Sequence, residues 1–211
     1  MEKKLILIGG GGHARSCIDV IEKEGIYHIE GILDRRENLG KLILNHKIIG
    51  TDDDIQSFAE KGYWFLITIG QIKQSVSRER IFQLLLSCNA SIATVISPLA
   101  YISPYSEIGK GTIVMHGAKV NAAASVGENC IINTNALIEH DTVIGDHNHI
   151  STNAVLNGNC RTGKGVFIGS GSLVIHGIEV CAGTVLGAGS VIYKNILQQG
   201  TYAGNPFKRL A

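Results

Sequence analysis

The chain has 211 residues, with 19 Lys+Arg against 18 Asp+Glu and a net charge of +1, which sets nucleic acid and anionic membranes aside as principal partners. No apolar run approaches the roughly 18 residues of a membrane span. The four apolar residues after Lys3-Lys4 are too few for a secretory leader, so a cytoplasmic protein is expected. Five cysteines without a CxxC pair are expected to be reduced thiols, and 26 Gly with 6% aromatic residues point to a repeated backbone shape.

In chain order, residues 4–8 read as a buried strand, followed by four glycines, a helix over about 13–23 and a second strand over 30–33 ending at Asp34. Gly9-x-Gly11-x-x-Ala14 matches the dinucleotide fingerprint, and Asp34, at the end of the second strand, stands where that fingerprint carries its acid. Such glycines let a phosphate approach the backbone at a helix N-terminus. A further strand over 64–69 and a helix over 77–87 complete about 90 residues, which is half of a dinucleotide domain. A nucleotide or nucleotide-sugar site therefore fits better than NAD, and the plain alternative is a structural tight turn.

From Ile96 to Ile192 every sixth residue is aliphatic, with Thr162 the single exception in seventeen positions. The residue four places later is usually small, as in Ala118, Ala124, Cys130 and Ala136. Neither a 3.6-residue helix nor a two-residue strand period produces this pattern. It predicts a β-solenoid in which each hexad supplies a short strand and a corner. The expected domains are residues 1–90, a Rossmann-like sugar- or nucleotide-binding unit, and residues 91–211, the solenoid.

Within the repeats, His140 stands between Glu139 and Asp141 and is the third residue of its hexad, which places it at an outward corner. Histidine is the first choice for a base at neutral pH, and a neighbouring carboxylate can fix its tautomer and stabilise the imidazolium. His176 follows six hexads later on the same edge, about 10 Å away if two coils intervene. His116 falls on another edge, where no chemistry is expected. His147 and His149 alternate at period two, but zinc needs three converging ligands, and no metal site is expected. His28 and His46 read as exposed. No cysteine or serine lies in a nucleophile elbow, so direct transfer is favoured over an acyl-enzyme.

These repeats resemble the hexapeptide-repeat acyltransferase superfamily, and with the N-terminal unit the whole chain resembles its NeuD/PglD-type sugar acetyltransferases. The residues that carry the resemblance are Gly11-Gly12-His13, the stretch from Ile131 through Glu139-His140-Asp141 to Gly145 and on to Asn153, and Gly204-Asn-Pro-Phe-Lys-Arg209. Phe207 departs from the group's usual Ala. The resemblance implies a left-handed parallel β-helix, a homotrimer and acetyl-CoA as co-substrate held between neighbouring solenoids. It implies His140 as general base supported by Asp141, His149 contacting acetyl-CoA, and Gly158, Ser170 and Ala188 lining the pantetheine channel. Gly11, Gly12, His13, Asp34 and Gly70 would meet the sugar substrate. The activity implied is N-acetylation of a 4-amino-4-deoxy nucleotide sugar, with sialic acid O-acetylation as the alternative, favoured by the wording of residues 150–158 and of Ile69-Gly70-Gln71. A non-catalytic nucleotide-sugar-binding solenoid is the reading of another class, against which the Glu139-His140-Asp141 cluster argues.

Overall fold

The structure, a computed structural model, describes residues 3–72 and 74–210. Met1, Glu2 and Ala211, the ends of the two expected domains, lie outside the described residues. The first unit is an α/β layer with strands β1 (Lys3–Ile8), β2 (Tyr27–Leu33), β3 (Leu42–Ile43), β4 (His46–Gly50), β5 (Trp64–Ile67) and β6 (Ser91–Ile92). They form one sheet in the order β3-β4-β2-β1-β5-β6. β3 and β4 form an antiparallel hairpin, while β4, β2, β1, β5 and β6 run parallel to their neighbours. Leu5 to Ile8 are buried on both faces, which is why β1 reads as an unbroken apolar run.

Helix α1 (Gly12–Glu24) buries Ala14, Cys17, Ile18 and Ile21, the spacing of one helical stripe. Gly25, left-handed at φ 72°, closes it by donating to the Ile21 carbonyl. Helices α2 (Ile55–Glu60) and α3 (Val76–Ser87) follow. The hairpin and α2 are additions to the elements expected from sequence. They are only 2 to 6 residues long, so no sustained period announces them.

The solenoid is three-sided. Its short strands pair in parallel with the strand three hexads on, as in Ile113 with Ile131 and Leu137 with Val155. Face I runs through Val95–Ile96, Ile131–Ile132, His149–Ile150 and Val185–Leu186; face II through Tyr101–Ile102, Leu137–Ile138 and Val191–Ile192; face III through Glu107–Ile108, Val143–Ile144 and Glu179–Val180. The second residue of each strand is the hexad aliphatic, and from Val114 onward these side chains are buried in one continuous core. The turns add a column not anticipated from sequence. From Gly111 to Gly189 every sixth residue is left-handed, and the column is filled by Gly, Asn or Asp apart from Ala123 and His147. Asn and Asp tolerate that conformation best among residues with side chains. The strands Thr201–Gly204 and Phe207–Leu210, an antiparallel hairpin, cap face I.

The three outer faces differ. On face I, Val95, Ile113 and Ile131 turn outward and are fully buried against Cys17, Ile18 and Ile21 of α1. On face II the outward residues are Tyr101, Lys119, Leu137, Val155, Leu173 and Val191, of which the upper four form an apolar, half-buried ladder. On face III they include Glu107, Ser125, Arg161 and Glu179.

Two histidines have partners that the sequence does not show, and one of them, His46, departs from its expected exposure. His46 is half-buried and lies 2.9 Å from Glu22 through Nε2. His116 joins the two units: its Nε2 donates to Asp19 of α1 at 3.0 Å, and Ser97 donates to its Nδ1 at 2.6 Å. Both partners are distant in sequence, so neither contact shows as a local motif.

Candidate active site

His140 occupies the turn between faces II and III. Its Nδ1–H donates to Asp141 Oδ2 at 2.8 Å, which leaves Nε2 as the free basic nitrogen. Glu139 does not serve the ring. Its carboxylate accepts from the Asn121 amide one coil below at 2.8 Å and from the His140 backbone N–H at 3.4 Å, and so it holds the turn. Asp141 itself sits in the left-handed column at φ 60°. The imidazole leans over buried Gly158 on the next coil, where a Cβ would lie 2.6 Å from both Cε1 and Nε2. Because Gly158 has no side chain, His140 and His176 approach to 6.4 Å between ring centroids, closer than the stacking of two coils alone would bring them.

A second group of residues lines a cleft of about 950 Å³ on the first unit, reaching to face I. Gly11, Gly12, His13, Asp34 and Gly70 all line it, as does His149 from the solenoid. Among the glycines of the loop, Gly9 and Gly10 are structural: a Cβ on Gly9 would lie 2.5 Å from Ile69 Cγ1, and one on Gly10 would lie 2.7 Å from Asp34 Oδ2. Gly11 and Gly12 face open space and begin α1 without a side-chain cap or an acid in the first turn. Their backbone N–H groups are therefore available to an anion. Asp34 accepts from Gly10 N at 2.5 Å through Oδ2, and from Arg35 N at 2.6 Å through Oδ1. Its carboxylate thereby fixes the glycine loop from the cleft wall.

His149 is 7% exposed, and both ring nitrogens are engaged. Nδ1–H donates to the Gln71 carbonyl at 2.6 Å, and Nε2 accepts from the Asn133 amide at 3.0 Å. Its ring centroid is 6.3 Å from that of His13. Burial, helped by the nearby Arg78 cation, pushes His13 down to about 3 and His149 to about 4, so both are neutral at pH 7. Arg78, 1% exposed, was not singled out from sequence. It donates to the carbonyls of Ile67 and Ile69 at 2.9 and 2.7 Å, and to Oδ1 of Asn129 on the solenoid at 2.6 Å. It ties the end of β5 to the solenoid, and its partners lie up to 51 residues away.

Ser170 and Ala188 stack one coil apart in the turns between faces I and II, with Ser170 bonded to Ser151 at 2.8 Å. Within one chain the residues singled out from sequence thus fall into three groups. His140, Asp141 and Gly158 share the II–III edge, Ser170 and Ala188 share the I–II edge, and His13, His149, Asp34 and Gly70 share the cleft. Among the described residues, no three His, Cys, Asp or Glu side chains converge as a metal site would need, and no helix is long and apolar enough to cross a membrane.

Known proteins match both units. Residues 4–85 match the PglD N-terminal domain, and residues 123–158 match the bacterial transferase hexapeptide (six repeats). The acetyltransferase domain of PglB from Neisseria gonorrhoeae superposes with a TM-score of 0.92 at 31% identity, covering 99% of this chain and all of that one. PerB from Caulobacter crescentus, solved with CoA and GDP-perosamine, gives 0.91 at 29% identity over 99% of this chain and 97% of that one. An uncharacterized protein, L142, of Acanthamoeba polyphaga mimivirus is 34% identical over 116 residues, 55% of this chain but 22% of that protein, so the match spans about a fifth of its length. The shared architecture is an α/β unit followed by a left-handed parallel β-helix. On these grounds the chain belongs to the hexapeptide-repeat acyltransferase superfamily, in its group of NeuD/PglD-type sugar acetyltransferases.

Proposed function

We propose that the chain transfers the acetyl group of acetyl-CoA to the amino group of a 4-amino-4-deoxy nucleotide sugar, with His140 as general base and the site completed by a neighbouring copy in a homotrimer. The observation that carries this reading is the His140 arrangement: Nδ1 is held by Asp141, Nε2 is free, and the missing side chain of Gly158 lets the ring lie against the next coil. Acetyl-CoA supplies the activated acyl group. His140 Nε2 takes the proton that the amine gives up as it attacks the thioester carbonyl, and Asp141 stabilises the resulting imidazolium. The tetrahedral oxyanion requires a donor, which the turn backbone N–H groups can supply, and its collapse breaks the C–S bond, with the His140 imidazolium returning the proton to the departing thiolate.

The three outer faces support the trimer. The first unit covers Val95, Ile113 and Ile131 of face I, and face III is polar apart from Val143, whereas face II carries the ladder Leu137, Val155, Leu173 and Val191. Three prisms that turn face II toward a common axis bring the II–III edge of one copy beside the I–II edge of the next. His140 then approaches the neighbour's Ser170 and Ala188, and the three groups of one chain become one interfacial site. The small side chains on that edge suit a narrow pantetheine channel, with the cleft residues Gly11, Gly12, His13, Asp34 and Gly70 placing the sugar nucleotide. PerB, the neighbour solved with CoA and GDP-perosamine, supports an amino sugar as acceptor.

Thiol release from acetyl-CoA, measured across a panel of 4-amino nucleotide sugars and free sialic acids, tests the assignment. Turnover confined to the amino sugars is expected. Turnover confined to sialic acids replaces it with O-acetylation, and binding without turnover of any acceptor leaves the non-catalytic reading.

A further inference from the structure

Strands β2 and β5 flank β1, so the cleft has two ends of different chemistry: after β2 stand Asp34, Arg35 and Arg36, and Gly11 and Gly12, with open N–H groups, lie between the ends after β1. At the end against face I stands Gln71, which lines the cleft and is 1% exposed. Neither Oε1 nor Nε2 of its carboxamide has a hydrogen-bond partner, and Nε2 of the adjacent His13 is also unpartnered. Buried polar atoms without partners are rare in native structures and call for a specific reason. Three at one end of one cavity point to a ligand that supplies the partners.

Rigidity adds to this. The Gln71 carbonyl is fixed by His149 Nδ1 at 2.6 Å, and His149 is fixed in turn by Asn133 at 3.0 Å. A Cβ on Gly70 would lie 3.3 Å from His13 Cβ, so the loop and the imidazole are packed together. The carboxamide is therefore held at the cleft wall by a pre-set backbone. The unpartnered groups are neutral, since the imidazole of His13 is uncharged at pH 7. One carbonyl, one amide NH₂ and one imidazole nitrogen match hydroxyl groups, which both donate and accept.

We infer that Gln71, with His13, is the specificity-determining pair for the acceptor's sugar ring, reading its neutral hydroxyl substituents while the phosphates lie at the opposite end of the cleft. This rests on the proposed nucleotide-sugar reading. It assigns the ring to the face-I end and gives the enzyme a means of rejecting rings that lack the hydroxyls, because a site built to hydrogen-bond a hydroxyl is left with unpaired groups by an analogue without it.

The test uses the full-length protein, GDP-perosamine and analogues of it lacking one ring hydroxyl. The wild-type enzyme should lose roughly 10–100-fold in kcat/KM on the analogue whose missing hydroxyl meets Gln71. Gln71→Leu should lose a similar factor on the full substrate and almost nothing further on that analogue, while its affinity for GDP alone by calorimetry stays unchanged. Gln71→Glu, which keeps the shape, should lose activity without losing GDP. If wild type is active but Gln71→Leu discriminates against every analogue as wild type does, or if Gln71→Leu has wild-type kinetics, the inference fails while the function stands. If wild type neither binds nor acetylates any 4-amino nucleotide sugar, the functional reading fails and the inference goes with it.

Discussion

The molecule holds two pairs of histidines at almost the same spacing, His140 with His176 at 6.4 Å and His13 with His149 at 6.3 Å. Their surroundings give them opposite uses. The first pair stands on an exposed edge, and His140 has a carboxylate on Nδ1 and a glycine beneath its ring. The second pair is packed in the cleft near a buried guanidinium, with the ring nitrogens of His149 bonded inside the protein. In the proposed mechanism His140 accepts a proton, whereas His13 and His149 are held neutral as fixed posts. Residue type alone does not separate these roles; the neighbours within hydrogen-bond reach do.

The widest separation between the two pairs is expected from removing the base. His140→Ala should lower turnover by roughly 10²–10⁴-fold while acetyl-CoA affinity stays nearly intact, because a general base acts mainly in the transition state. Steady-state kinetics beside calorimetric CoA binding checks this, and near-normal turnover would remove His140 from the mechanism. His149→Asn, in contrast, should disturb the cleft loop through Gln71 and show up in acceptor KM.

Arg78 marks the other side of the comparison as a group whose work is structural. Arg78→Ala leaves the carbonyls of Ile67 and Ile69 and the side chain of Asn129 without their donor in a buried place. Lost hydrogen bonds to a buried charge and a cavity of this size should together cost about 3 kcal/mol or more. A urea titration reads the loss as a lower midpoint. An unaltered midpoint would show that the two units do not depend on this tie.

The same contrast has a pH signature. His13 and His149 titrate at about 3 and about 4 in the folded chain, below the ordinary value of 6.5. Between those limits the unfolded chain binds more protons, so stability is complete above about pH 6.5 and falls as pH drops toward 4. Each imidazole contributes a slope of up to about 1.4 kcal/mol per pH unit in that window. Urea midpoints at pH 7 and pH 5 should therefore differ clearly in the wild type and less in His149→Asn; equal differences would count against a buried neutral His149.

How far each region could be read in advance follows from where its partners lie. The hexad period was visible because burial recurs at every sixth position and each coil pairs with the one three hexads on. His140 was visible because its carboxylate partner is the next residue. The cleft was only half visible. Gly11, Gly12 and Asp34 belong to a local fingerprint, but Asp34 is turned inward to Gly10, and Gln71 meets His149 across 78 residues. Arg78, Asn133 and the Asp19–His116 contact have no local period or motif. The Arg78 and Asp19–His116 contacts are made when one unit lies against the other, Asn133 meets His149 across neighbouring coils, and a linear pattern does not encode them.

The finest discrimination concerns how Asp141 supports its neighbour. The pair is 2.8 Å long, but both side chains are more than half exposed, at 57% and 60%. Exposed ion pairs contribute at most about 1 kcal/mol, so the carboxylate's main service is to hold the ring with Nε2 free. Asp141→Asn keeps an oxygen for Nδ1–H and is tolerated at φ 60° in the left-handed column, where Ala would add backbone strain to the result. It should therefore retain the ring orientation and lose only the carboxylate's stabilisation of the imidazolium, lowering kcat/KM by about 5-fold, equivalent to about 1 kcal/mol. Asp141→Ala should lose more, since the tautomer is no longer held. Kinetics of the two variants on one acceptor, with acetyl-CoA saturating, separates orientation from charge. Equal losses would mean that the hydrogen bond contributes nothing beyond the charge, and wild-type rates in both would leave His140 acting without its acid.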